Sequence, residues 1–210
     1  MTRVTIIGAG VIGAAIAYEL SLINGLDITL IDEKQPASGS TGAALGVLMA
    51  IISHKTKGRG WKLRQLSLER YTTLIPELEE LTGKKIPVNH QGFLMLRFPD
   101  DPRERWEKLQ KFRHDHGYPL EIWDKKKLLK YCPQVQNNRV IGAIYSPQDI
   151  QIHPTILTES LILAASQNGV NCQFGVKVEN ITPTGINDSD NGQSYQIKTQ
   201  YQTLETDWLI

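Results

Sequence analysis

Apolar and polar positions along this chain switch between two periods, and the first switch comes within twenty residues. Val4, Thr5, Ile6 and Ile7 form a β-branched run of strand length, after which Ile12, Ile16, Leu20 and Ile23 recur at helical spacing. That spacing predicts a helix burying its isoleucine and leucine face, with Ala14, Ala15 and Ala17 keeping it slim against a sheet. Ile28-Thr29-Leu30-Ile31 predicts a parallel partner strand that ends at Asp32. Further on, the apolar stretch from Val47 to Ile52 calls for burial. Trp61, Leu63, Leu66, Tyr71, Leu74, Leu78 and Leu81 mark a long amphipathic helix, bent near Pro76 and closed by Gly83.

The same reading continues to the end. Gly92 to Phe98 is a strand after a turn, Arg103 to His116 a helix, and Leu120 to Trp123 a short strand. Lys125-Lys126-Lys127 follows Asp124 and precedes Leu128 and Leu129, which reads as a solvated helix start. Val140 to Tyr145 and Ile150 to Ile152 are strands. Pro154 suits the first position of a helix running to about Asn168, where Gly169 stops it. Val176 to Ile181 predicts the following strand and Pro183 to Gly192 a hairpin turn. Tyr195 to Thr199 pairs with Tyr201 to Leu204, and Thr206 to Ile210 begins another strand.

Between the first strand and the first helix, Gly8, Gly10 and Gly13 fall on the G-x-G-x-x-G spacing of nucleotide-binding turns. Each glycine meets a separate demand: Gly8 the tight turn, Gly10 close approach of backbone to a pyrophosphate, Gly13 close packing of helix on strand. N–H groups at the helix start, around Val11 and Ile12, then face the phosphates. Asp32 lies nineteen positions after Gly13, near the spacing of a carboxylate that accepts hydrogen bonds from an adenosine ribose; Glu33 is its neighbour and rival.

A nicotinamide enzyme would continue after Asp32 with alternating helix and strand. Here Pro36 to Ala44 is a tract of small residues leading into Leu45-Gly46-Val47-Leu48-Met49-Ala50. Small residues bordering a buried segment suit backbone pressed against a flat ligand, with the Ser40 and Thr41 hydroxyls free to bond its edge.

Composition adds mainly exclusions. With 23 basic and 22 acidic residues the formal charge is +1, too little to attract nucleic acid or an anionic membrane. No run approaches the roughly 18 apolar residues of a membrane span. Cys132 and Cys172 form no C-x-x-C pair, and a reduced cytoplasmic setting is the simplest expectation, in which the sequons at Asn180 and Asn187 carry no weight. His90, His114 and His116 lack ligand-like spacing, so no metal is expected. The segment from Pro183 to Gly192 lacks the terminal Glu of a calcium loop.

Taken together, VTIIGAGVIGAAIAYEL, Asp32 and STGAALGVLMA resemble the FAD-dependent amine and amino-acid oxidoreductases, the family of D-amino acid oxidase, glycine oxidase and sarcosine oxidase. The LTG, QGFLML and YCPQV segments look similar to that family's substrate domain. The resemblance implies an α/β fold: a discontinuous Rossmann-like FAD-binding domain over residues 1–58 and 150–210, with an α+β substrate domain inserted at 59–149. It implies that Gly8, Gly10, Val11, Ile12, Gly13 and Asp32 or Glu33 hold the adenosine diphosphate of FAD. Ser40, Thr41, Ala43, Ala44, Gly46 and Leu48 run beside the flavin, and a backbone contact to adenine falls near Val178. The spacing before the second strand is one residue longer than usual, through Asn24-Gly25-Leu26-Asp27.

The implied reaction takes a hydride equivalent from the carbon bearing an amine to the flavin, leaving an imine that hydrolyses. It requires no conspicuous protein acid, and no catalytic residue is named; His153 reads as a helix-start residue bonding local backbone. The family continues beyond Ile210 into a half that supplies most substrate-carboxylate contacts. The resemblance thus leaves a small amine or amino acid as substrate, with a separate chain as a possible source of the rest. Two other readings stay open: a non-catalytic or partner-dependent FAD-binding fragment, and a nicotinamide dehydrogenase.

Overall fold

A computed structural model describes residues 1–187 and 192–210. In chain order the elements begin with β1 (Thr2–Ile7), α1 (Val11–Ser21), β2 (Leu26–Asp32), β3 (Val47–Leu48) and α2 (Gly58–Thr82). They continue with β4 (Val88–Asn89), β5 (Phe93–Arg97), α3 (Arg103–Asp115), β6 (Glu121–Asp124), α4 (Lys125–Tyr131), β7 (Gly142–Ser146) and β8 (Ile150–Ile152). The last are α5 (Pro154–Gln167), β9 (Asn171–Phe174), β10 (Val178–Asn187), β11 (Gly192–Thr199), β12 (Thr203–Thr206) and β13 (Trp208–Leu209). The chain divides into two compact units. One comprises Met1–Leu45, Ile75–Ile86 and His153–Ile210; the other comprises Gly46–Leu74 and Pro87–Ile152.

The first unit is built on a parallel sheet in the order β13-β1-β2-β9, the Rossmann-like part of the fold. β1 and β2 stay in register from Thr2 opposite Leu26 to Ile7 opposite Ile31. Ile6, Leu30 and Ile31 are completely or almost completely buried, as parallel strands covered by helices require. Helix α1 packs on α5, and here the isoleucine stripe is not the buried face. Ala14, Ala17 and Tyr18 are buried, whereas Ile12 is 75% exposed and Ile23 is exposed too. The helix lies close to its neighbours, and two of its three buried positions are alanines. Tyr18, the one large side chain there, donates its hydroxyl to Glu77.

After α5 the chain differs from expectation. Asn171–Phe174, not Val176–Ile181, is the strand that joins the parallel sheet, with Leu30 opposite Cys172. Its mixed sequence, Asn-Cys-Gln-Phe, hides a position fixed by tertiary pairing. Gly175 then takes φ +74° and redirects the chain into an antiparallel meander, β10-β11-β12. Pro183 is strand, opposite Tyr195; the rest of the expected turn falls partly on residues 188–191, outside the described residues, as does the sequon beginning at Asn187. Arg3 fastens the start of β1 to the chain end: its N–H and guanidinium donate to Asp207 at 2.8–3.3 Å, and Nη1 to Glu205 at 3.1 Å.

The second unit carries two antiparallel three-stranded sheets, β3-β8-β4 and β5-β7-β6. Ala50, Ile51, Ile52, Trp61, Trp106, Leu109, Leu120 and Ile144 form its main core. Trp123, Leu128, Val140 and Ala143 form a second cluster. Asp124 caps α4, accepting from the Lys127 N–H at 2.7 Å. Helix α2 runs through Pro76, and Gly83 closes it with φ +66°. Leu63 and Leu66, expected on its apolar face, are exposed.

Candidate functional site

Three hydrogen bonds fold the glycine turn of the first unit onto the end of β2. Gly8 N–H donates to the Ile31 carbonyl at 2.8 Å, Ala9 N–H to Asp32 Oδ2 at 2.7 Å, and Ala37 N–H to the Ala9 carbonyl at 3.1 Å. Gly8 holds φ +114°, a backbone state that side chains rarely tolerate. A Cβ on Gly13 would stand 1.9 Å from the Gly8 carbonyl oxygen, so the helix can begin this close to the strand only with glycine there.

Gly10 is the N-cap of α1 and no side chain caps it. The first N–H groups of the helix lie at its positive dipole end, and a residue from the small-residue tract reaches the first of them. A Cβ on Gly10 would meet Thr41 Oγ1 at 3.1 Å, and that hydroxyl accepts from the Val11 N–H, also at 3.1 Å. The small-residue tract thus lies against the glycine turn rather than trailing as a linker.

Asp32 and Glu33 separate clearly. Asp32 uses Oδ2 on Ala9 and Oδ1 on the Lys34 N–H at 2.8 Å, while its carbonyl accepts from Val176 N–H at 3.0 Å. A carboxylate offers about four lone-pair directions, so two remain for a ligand. Glu33 is exposed, with Lys34 Nζ 3.8 Å away. Thr41 is buried, whereas Ser40, Ala43 and Ala44 are exposed on the same tract. Val178 opens β10 opposite Thr199, beside a register irregularity and two residues from the bond to Asp32.

Gly46 and Leu48 belong to the second unit. Gly46 has φ +68°, and its carbonyl accepts from the Ile152 N–H at 2.9 Å, while Leu48 pairs with Ile150. There Asp149, fully buried, accepts from the N–H groups of Ala50, Ile51 and Ile52 at 2.7–2.9 Å. Arg113, also fully buried, donates to the carbonyls of Ile51, Ser53 and Lys55 at 2.6–2.9 Å.

Sequence reasoning missed three parts of this arrangement. Ala9 has no signal beyond its place between two glycines. Ala37 is a buried alanine at φ +59°, a conformation no alanine advertises. Only glycine fits at Gly42, because a Cβ there would fall 2.4 Å from the Ala37 carbonyl oxygen. The histidines serve local roles: His114 Nε2 meets the Leu120 carbonyl, His116 Nδ1 the Phe112 carbonyl, and His153 Nδ1 accepts from the Ile156 N–H at the start of α5.

Residues 3–203 match the family described as FAD dependent oxidoreductase. The chain belongs to that family. FAD is the family's cofactor, which sets aside the nicotinamide reading. The glycine turn fits such a group: a cradle closed to a Cβ at Gly13, a helix start whose N-cap is a glycine, and a carboxylate with capacity to spare. Among similar proteins, glycerol 3-phosphate dehydrogenase of Caloramator mitchellensis is 32% identical over all of this chain and 41% of its own length. The mitochondrial pyruvate dehydrogenase phosphatase regulatory subunit of Mus musculus is 28% identical over 95% of this chain and 22% of its own. The crystal structure of glycine oxidase from Geobacillus kaustophilus superposes with a TM-score of 0.84 at 26% identity, over all of this chain and 55% of that one. The chain therefore spans at most about half the length of these proteins. Among the described residues, no helix is long and apolar enough to cross a membrane.

Proposed function

We propose that this chain holds the adenosine diphosphate end of FAD and serves the oxidation of a small amine or amino acid to an imine. The observation that carries the reading is the Asp32 carboxylate bonded to Ala9 inside the glycine turn. Gly8, Gly10 and Gly13, with the N–H groups around Val11 and Ile12, would receive the diphosphate. Asp32, rather than the exposed Glu33, would accept from ribose hydroxyls through its spare lone pairs. Ser40, Thr41, Ala43 and Ala44 would border the ring system, and the assignment extends along the strip to Gly46 and Leu48; the Val178 backbone would meet adenine. Bound FAD would supply the two-electron acceptor. The protein's part is to bind, orient and exclude water. Residues 1–58 and 150–210 would form the cofactor domain and 59–149 the substrate-type domain.

Similarity to glycine oxidase favours an amine donor, and the glycerol 3-phosphate dehydrogenase relative makes an alcohol donor the natural control. A second reading, a non-catalytic FAD-binding part that works with another chain, is supported by the likeness to a regulatory subunit. A cytoplasmic setting belongs to the same proposal, supported by two free cysteines, with burial raising the Cys172 thiol's pKa.

The test is an absorption spectrum of the purified chain before and after FAD addition and dialysis, followed by amine, amino-acid and glycerol phosphate substrates. Retained flavin bands bleached by an amine support the first reading. Retained flavin that no substrate reduces, with a second polypeptide co-purifying, supports the second. A chain that never retains FAD refutes both.

A further inference from the structure

The second unit holds a cavity of about 360 Å³ that shares no residue with the glycine turn, a volume suited to a small molecule. Its distinctive wall is Arg97, the last residue of β5. The side chain is only 7% exposed, and its Nε finds no hydrogen-bond acceptor. Among the described residues the guanidinium makes no hydrogen bond or ion pair, although buried polar groups are nearly always satisfied.

Strand register explains the space beside it. Arg97 and Asp124 both stand opposite Gly142, on either side of the central strand β7. Directly opposed residues share a face of a sheet, so both side chains leave the same face, two strand spacings or about 10 Å apart. The residue between them has no side chain. A Cβ on Gly142 would fall 2.2 Å from the Trp123 carbonyl oxygen, so only glycine fits there and no side chain stands between the two.

The remaining wall supplies both charges and an apolar surface. Asp101 and Asp124 line the cavity; one oxygen of each is engaged by backbone, with Phe98 N–H and Lys127 N–H at 2.7 Å. Each carboxylate keeps a second oxygen with acceptor capacity. Arg103 also lines it, at the first turn of α3, with Nε on Glu107 at 2.7 Å. That helix starts at Pro102 without a side-chain cap. Ile122, two residues before Asp124 and so on the same face of β6, and Ile141 contribute apolar wall.

We propose that this cavity binds a free α-amino acid or a similar small zwitterion. The ligand's carboxylate pairs with Arg97 beside the start of α3, its ammonium faces Asp124 and Asp101, and its apolar part lies against Ile122 and Ile141. A simple anion would leave the two acids unanswered, and a simple cation would leave Arg97 so.

Calorimetric titration of the purified chain with glycine, L-alanine, L-leucine, L-phenylalanine, sodium acetate and methylammonium chloride tests this. At least one amino acid should bind at a single site, at least tenfold tighter than acetate or methylammonium. Arg97→Met should weaken that binding at least tenfold, with Arg97→Lys intermediate. Asp124→Asn should weaken it several-fold while keeping the helix cap, since asparagine caps as well as aspartate. Circular dichroism of each variant verifies folding, and Asp124→Asn keeps the test decisive if Arg97→Met fails to fold. Amino-acid binding that survives both substitutions belongs to another site and overturns the proposal. So does acetate binding as tight as the amino acid and indifferent to Asp124→Asn, or no binding by any probe.

Discussion

The Asp32 carboxylate accepts the Ala9 N–H at 2.7 Å, so the end of β2 holds the interior of the glycine turn. One acid thus shapes the turn and keeps lone pairs for a ligand. Asp32→Ala strips Ala9 and Lys34 of their acceptor. Charge-assisted bonds of this kind contribute about 1.5–3 kcal/mol, so the variant should unfold at clearly lower urea. FAD affinity, read by fluorescence titration, should fall at least tenfold. Unchanged affinity together with a lowered urea midpoint would confine Asp32 to shaping the turn.

Gly13, inside α1, and Gly10, its N-cap, differ in what an added Cβ would meet. Alanine inside a helix gains about 1 kcal/mol over glycine. At Gly13 the added Cβ sits 1.9 Å from a backbone oxygen that cannot move aside, and overpacking of that kind costs about 1–3 kcal/mol or more. Gly13→Ala should therefore destabilise. At Gly10 the neighbour is the Thr41 hydroxyl at 3.1 Å, which needs to give only slightly. Gly10→Ala, at the extended N-cap where alanine serves less well than glycine, should lower the urea midpoint only modestly while weakening FAD binding. A Gly13→Ala protein as stable as the parent would refute the packing account.

The glycine-turn end of the fold was legible because its constraints are local. A β-branched run, glycines at fixed spacing and an acid at a strand end each have a steric or electrostatic cause within about thirty residues. What stayed hidden depends on distant partners. Asn171–Phe174 carries no strand pattern and is defined by pairing with β2. Ile12 and Ile23 follow helical spacing, yet the alanines face inward because α5 packs there. Nothing in the sequence marks Arg113 or Asp149, and only the fold brings both to the Ala50–Lys55 segment.

That segment is held from two sides. Arg113 bonds its carbonyls and lies 3.9 Å over the Trp61 ring, while Asp149 bonds its N–H groups. Burial pulls the Arg113 pKa down to about 10, with Asp149's charge acting in the other direction. Arg113→Met leaves several buried carbonyls without donors and Asp149 without a nearby cation, for a loss of about 3–5 kcal/mol. Arg113→Lys should recover only part, because an ammonium lacks the planar fork. Since Asp149→Asn loosens the same segment, the double variant should be less destabilised than the two single losses added. A double-mutant cycle by urea denaturation measures this, and strict additivity would show the two grips to be independent.

His54 lies in the same segment, its ring 4.3 Å from that of Trp106. Partial desolvation of this largely exposed ring, then the charges of Arg105 and Arg113, lower its pKa below the ordinary imidazole value. The folded protein thus resists protonating a ring that the unfolded chain protonates at about pH 6.5. Below that pH the unfolded state binds more protons, so this group's contribution falls as pH drops from about 6.5 to the lower folded pKa. Above about 6.5 it is constant. His54→Phe keeps the aromatic contact and removes the titration. Urea midpoints between about pH 5 and pH 7.5 should slope less in His54→Phe than in the parent, with the two curves running parallel above about pH 7. Equal slopes across the whole range would show that the acid sensitivity of this unit arises from other groups.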